Sequence, residues 1–345
     1  MSSGKEAKAA FKKAAEWGTA VAVGDADALL FTTEKITRSR EHLPDDSAGQ
    51  AFYAQADQGL ITCAGDLSAF LRYQQLEVLL AMAMGTAGAP TQQGESAAYL
   101  HALRLNADTD GLFGTLALYK GISAHEYAAC KVDGFTISGE AGQPLSVSFN
   151  LVCDDLAINT TTGTNTATAL AALAMPSLGN RVLFRQGQFL INDQDGDALD
   201  SEDAVTPSRF TLTFRRNLVG DHLAGGNDRI AEPTCAGFPE ISLSLEFPVY
   251  TTDTYLTDLG SDIRKKMQIT FTGAEIASLH NYKLELLFPH LVLTNAEAAV
   301  DKAGKIAHPI TASCLAAASA PAGMTGLTAP FALNLINTRT TNPLA

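Results

Sequence analysis

The side chains able to do chemistry are few and scattered. The densest group is Asn192-Asp193-Gln194-Asp195-Gly196-Asp197, acids alternating with small polar residues as in a calcium loop. An EF-hand loop has glycine sixth, which would put Ile191 first, and isoleucine has no ligating atom. The stretch reads as a solvated turn between strands, with no metal. Ser123, His125 and Glu126 lie close together but lack the G-x-S-x-G elbow that exposes a nucleophile. The seven histidines form no H-x-x-x-H pair, and no phosphate-cradling glycine motif occurs. Cysteines stand at 63, 130, 153, 235 and 314, an odd number without C-x-x-C. They read as reduced, buried thiols rather than a disulfide framework or a zinc site. That reading implies synthesis in a reducing cytoplasm. Arg215-Arg216 and Arg264-Lys265-Lys266 read as solvated strand ends. No catalytic residue, cofactor or metal site is expected, and the chain is not read as an enzyme.

The elements that would position these groups are mostly strands. Leu145, Val147, Phe149, Leu151 and Cys153 alternate with Ser146, Ser148 and Asn150, the period of a strand with one buried and one wet face. Val132, Phe135 and Ile137 form a shorter run of the same kind. Gly139-Glu140-Ala141-Gly142 between them supplies a reversal, so the pair reads as a hairpin. Further strands are expected at Ala28–Ile36, Leu60–Phe70, Tyr99–Leu105 and Phe113–Lys120, with a helix over Tyr73–Met84 ended by Gly85. Arg38–Gln58 reads as a long charged connection. Lys5–Lys13 reads as a short amphipathic helix or a mobile arm, and 156–180 as a linker.

The second half repeats this order: a strand at Val182–Ile191, alternating runs at Arg209–Arg215 and Ile241–Phe247, and a helix near Asp253–Leu259. Met267–Phe271, Tyr282–Leu293 and Gly304–Leu315 then read as strands. This is a diverged tandem duplication. The expected architecture is mainly β: two tandem β-sandwich or half-barrel domains, each with one short packed helix. The boundaries are an N-terminal arm to 17, domains at 18–155 and 181–318, the linker between them, and a C-terminal arm from 319.

The chain has 345 residues, 46% hydrophobic and 18% charged, with a net charge of −13. That length fits two domains, and the acidity argues against gripping nucleic acid through its phosphates. No apolar run reaches membrane-spanning length. Aromatics are 7% with one tryptophan, which weighs against the alternative of a receptor- or carbohydrate-binding β-sandwich or virion decoration module.

The run V-D-G-F-T-I-S-G-E-A-G-Q-P-L-S-V-S-F-N-L-V, Val132 to Val152, resembles the hairpin of two-domain tail tube proteins of long-tailed phages. Trp17–Gly24 leading into Leu29–Thr32, Arg38–Ser47, and Gly65-Asp66-Leu67-Ser68 before the Leu-rich helix are similar to the same family. The resemblance covers 17 to about 153 well and the rest loosely. It implies a structural virion protein that self-assembles into stacked rings, the conduit for DNA ejection. Implied partners are further copies of itself, in a trimeric ring with pseudo-sixfold symmetry, and the tape measure, tail terminator and tail tip proteins. DNA would pass without specific binding, no membrane is involved, and assembly would occur in the host cytoplasm. On this reading Thr62, Asp66, Ser68, Thr136, Ser138, Ser146, Ser148 and Asn150 face the lumen. Arg38, Arg40, Glu41, Asp45 and Asp46 form an inter-subunit loop.

Overall fold

The computed structural model describes residues 3–159, 161–225, 228–300 and 303–345. From the N-terminus, β1 (Lys8–Lys13) is followed by β2 (Ala28–Leu29), β3 (Thr33–Glu34), β4 (Thr37–Pro44) and β5 (Ala56–Phe70). Helix α1 (Glu77–Met84) leads to β6 (Thr91–Gln92), β7 (Tyr99–Arg104), β8 (Gly114–Tyr119), β9 (Ala124–Glu140) and β10 (Ser146–Cys153). Next come β11 (Ala157–Asn159) and α2 (Ala167–Ala172), then β12 (Gly187–Asp193), β13 (Ala204–Val205) and β14 (Arg209–Arg215). The chain continues through β15 (Leu218–Val219), β16 (Thr234–Cys235), β17 (Glu240–Phe247) and α3 (Thr254–Gly260). It ends with β18 (Lys265–Ala277), β19 (His280–Asn295), β20 (His308–Cys314) and β21 (Ala332–Asn337). Every named pairing is antiparallel. All strands but β15 and β16 belong to one sheet.

The mainly β class is as the alternation requires, and the duplication extends to register. The first half runs β2–β1–β8–β9–β10–β5–β4. The second runs β13–β12–β18–β19–β20–β17–β14. Even the irregularities coincide. A bulge leaves Leu151 opposite Val132 but Asn150 opposite Gly134, and another leaves Ala312 opposite Leu293 but Thr311 opposite Asn295. A 3-10 turn precedes β2 and β13. Each is closed by an aspartate, Asp27 accepting from Gly24 N–H at 2.9 Å and Asp203 from Asp200 N–H at 3.0 Å.

Two seams join the halves. β9 pairs with β14 from Gly134↔Arg215 to Glu140↔Arg209, and β21 lies between β19 and β7. One contiguous apolar core therefore draws on both halves. At its centre Phe135 meets Phe149, Phe214 and Phe331 at ring separations of 6.3, 5.5 and 6.2 Å. Helix α1 is buried nearly all round, which suits its Leu, Met and Ala content. It starts at Glu77 rather than Tyr73 because Gln75 has φ 87°, and Gly85 ends it at φ 86°.

Several segments differ from expectation. Lys8–Lys13 is neither helix nor arm. Ala9, Ala10 and Phe11 are buried between β2 and β8, and six residues are too few for either period to show. The stretch expected as a linker contains β11 and α2, with Leu170 and Leu173 packed beside Ala10 and Ala117. The tail expected as an arm contributes the buried strand β21. Ala28–Ile36 is two short strands, and Arg38–Gln58 is largely the β4–β5 hairpin. The expectation of five reduced thiols is corrected as well. Cys130 and Cys153 stand directly opposite on β9 and β10 and form a disulfide, while Cys63, Cys235 and Cys314 are free.

Phe135→Ala should destabilise the chain by about 3–5 kcal/mol, since the three surrounding rings come from β10, β14 and the residue before β21, which cannot collapse together. A urea titration followed by tryptophan fluorescence measures it.

Candidate lumen wall and assembly surfaces

The wet faces of the strands unite into one surface. Across seven strands, Thr33, Ser68, Ser148, Thr136, Thr213, Ser242 and Ser313 are successive register partners. A second row runs Ser146, Ser138, Thr211, Ser244, Thr311 and Asn295. Two pairs of these hydroxyls hydrogen-bond to each other: Ser68 and Ser148 Oγ are 2.9 Å apart, Ser138 and Ser146 Oγ 2.8 Å. Charged residues flank the rows. On one side Asn150 Nδ2 donates to Asp66 Oδ1 at 2.6 Å. On the other, Arg209 lies between Glu140 (3.2 Å) and Glu246 (3.6 Å).

The structure brings seven of the eight expected wall residues together in these rows and their flank. Thr62 shares their parity but lies beyond the end of β10, bonded to Ser39 Oγ at 2.6 Å. The rows in the second half, from Thr211 and Thr213 to Ser313, were not singled out from the sequence. Their signal was the same alternation in Arg209–Arg215 and Ile241–Phe247.

The five loop residues part company. Arg38 pairs with Asp155 at 2.6 Å and Arg40 with Asp228, both within the chain. Glu41, Asp45 and Asp46 lie toward the hairpin tip. There the Ser47 hydroxyl and amide donate to Asp45 and hold its carboxyl below the usual range. At this tip Phe52 is 87% and Tyr53 71% exposed.

Sequence reasoning missed how residues 216–225 and 228–239 dock on the first half. Ile61 N–H donates to Asp228 O at 2.9 Å, and the His222 ring meets Ile61 O at 3.0 Å. Trp17 Nε1–H donates to Ile230 O at 3.0 Å. Lys131, 1% exposed, reaches Glu232 at 2.7 Å. Arg229 lies 3.2 Å from Asp155 and 3.8 Å from Asp154, whose carboxyl burial pushes up.

The other candidate chemistry stays dispersed. His125 and Glu126 are consecutive on β9 and so face opposite sides. Glu126 binds Asn159 and Asn165, while burial pushes the His125 ring below its ordinary value. Lys265 Nζ sits between Asp193 (2.5 Å) and Asp258 (2.6 Å), and Lys266 Nζ donates to Gly196 O at 2.6 Å. Lysines thus take up one acid of the calcium-like turn, Asp193, and one carbonyl, that of Gly196. Among the described residues no group of three or more His, Cys, Asp or Glu side chains could hold a metal. Burial pushes the Cys63 thiol up to about 12, far from the reactive thiolate range.

The two halves of this β protein share one strand order, and one hydroxyl face runs across both. The family model for phage tail tube proteins matches residues 4–330, and the chain belongs to that family. No curated protein matches the chain.

Among the described residues, Glu232→Ala leaves the buried Lys131 ammonium with Asp110, 3.9 Å away, as its one ion-pair partner. The expected loss is about 3 kcal/mol. A urea titration beside Glu232→Gln, which keeps an acceptor, separates the charge from the hydrogen bond.

Proposed function

We propose that copies of this chain close into rings and that the rings stack into the tube through which the phage genome leaves. The observation that carries this reading is the hydroxyl face, continuous in register across both halves. Such a face suits a bore. A lysine or arginine there could neutralise a phosphate and release counterions, adding salt-dependent affinity for passing DNA. Among the described residues the cations beside the rows are Arg209, held between two glutamates, Arg215, opposite Glu240, and Lys35, level with Asp66. Asp66 adds mild repulsion within a Debye length of about 8–10 Å.

Two units of equal strand order, residues 8–153 and 187–314, let three chains fill a pseudo-sixfold ring. Such permanent interfaces bury on the order of 2,000 Å² or more. The hairpin tip carrying Glu41, Asp45, Asp46, Phe52 and Tyr53 reaches an adjacent subunit or ring, while Arg38 and Arg40 brace its base. The tube would grow in the host cytoplasm, organised by a tape measure and finished by terminator and tip proteins.

Negative-stain images of the purified chain should show rings or tubes. The mass of one ring should equal three chains, and six would place the second unit elsewhere. Replacing Ser148 and Asn150 with lysine should leave tubes intact but slow genome ejection. Ejection at the normal rate from particles carrying both changes would remove these residues from the bore.

A further inference from the structure

The two halves are equivalent, but their edges are not used equally. In the first half β9 runs on past its bulge and its far edge pairs with β14. Arg216 N–H donates to Asp133 O at 2.7 Å at one end, and Ala141 N–H to Ser208 O at 2.9 Å at the other. In the second half β19 has the same bulge but stops at Asn295, the counterpart of Gly134. The residues after it, Ala296 to Val300, belong to no strand. At the opposite end of the sheet, β3 and β4 are the counterpart of β14. Thr33 opposes Ser68 as Arg209 opposes Glu246, and Thr37 opposes Ala64 as Thr213 opposes Ser242. Yet β3 and β4 pair only with β5, so among the described residues their outer edge meets no strand.

We infer that Ala296–Val300 of one chain pairs antiparallel with Glu34–Arg38 of the next, repeating between chains the β9–β14 seam within the chain. This rests on the ring reading above and names its joint. The register follows from the equivalence. Ala296 exchanges backbone hydrogen bonds with Arg38, Ala298 with Ile36, and Val300 with Glu34, while Glu297 lies opposite Thr37. The amide directions agree. Lys35 N–H donates inward to Asp66 O at 2.9 Å, so the amides of Glu34, Ile36 and Arg38 point to the free edge. Asn295 has a side chain where Gly134 has none, so the pairing starts at Ala296.

Both edges carry a guard in the single chain. Glu34 Oε1 accepts from the outward Ile36 N–H at 2.8 Å, and Lys120 holds the other Glu34 oxygen at 2.7 Å. The His308 ring, buried against Tyr250, Tyr255 and Phe247, lies 3.0 Å from Ala296 O. Side chains thus satisfy the groups that would otherwise invite unprogrammed pairing, and must let go when the proper partner arrives.

The test is cross-linking of the full chain in a Cys235→Ser background, which removes the exposed native thiol. Thr37→Cys with Glu297→Cys places two thiols at a non-hydrogen-bonded pair, Cα atoms about 4.5 Å apart, within reach of a disulfide. Copper phenanthroline and air should convert assembled protein into covalent oligomers up to the closed ring on a non-reducing gel. Thr37→Cys with Ala298→Cys, facing opposite sides of the sheet, should not cross-link. Rings or tubes without the Thr37–Glu297 bond, or with equal cross-linking of both pairs, would overturn this joint and leave the tube reading standing. A wild-type chain that forms no rings would remove the tube reading itself. Hydrogen exchange on wild-type protein checks the same joint without substitution. Amides of 33–39 and 295–300 should slow at least tenfold on assembly, and unchanged exchange in tubes would overturn the proposal.

Discussion

The fold depends on the seam between β9 and β14. Pairing at the seam sets the register of everything on either side of it. A shift of one residue there would turn the second half's apolar residues outward and break every hydroxyl row. The backbones approach so closely that a Cβ at Gly134 would lie 2.0 Å from Phe214 O. At Gly139 it would lie 2.3 Å from Leu145 and 2.7 Å from Phe210. Two glycines in a strand would ordinarily weaken it. Here they let two half-sheets close on one another, and the rings of Phe135, Phe214 and Phe331 fill the space beneath.

Alternation made much of this legible. Leu145 to Cys153, Arg209–Arg215 and Ile241–Phe247 each have one apolar parity and one polar parity, and each is a strand with those faces. Gly85 announced the end of α1. Elements without a period were not legible. Lys8–Lys13 has three lysines around Ala-Ala-Phe, and its burial comes from partners distant in sequence, β2 and β8. α2 is six residues long, and what holds its region is Asn165 bound to buried Glu126. The Cys130–Cys153 bridge rests on two residues 23 apart in sequence, whose opposition exists only once the β9–β10 bulge is placed. The common face of Ser68, Ser148, Thr136 and Ser138 was readable because they share strands with the core. That the second half continues the same face was not, because strand neighbours across the seam are far apart in the chain.

The connections that follow β4 and β14 occupy equivalent places and do opposite things. The one after β14 folds back, and its contacts with the first half combine backbone bonds at Ile61 with the buried Lys131–Glu232 pair. Burying an ammonium carries a desolvation cost that only a close partner offsets, so this docking favours one geometry over near alternatives. The β4–β5 hairpin instead projects, exposing Phe52 and Tyr53 on no surface of its own chain. Equivalent positions of the two halves thus hold one connection docked on its own chain and one that is not.

The composition of the hydroxyl face follows from the same geometry. Antiparallel partners bring side chains to about 4.5–5.5 Å, a spacing at which two hydroxyls can hydrogen-bond and two like charges repel. Serine and threonine therefore repeat across seven strands without cost in register, whereas a charge needs an opposite neighbour on the next strand. Arg209 has two, Glu140 and Glu246, and they lie beside the rows rather than within them. Two hydroxyl pairs, Ser68 with Ser148 and Ser138 with Ser146, satisfy each other across neighbouring strands. The face is wettable with no charge inside its two rows, and the fold obtains that property from strand pairing alone.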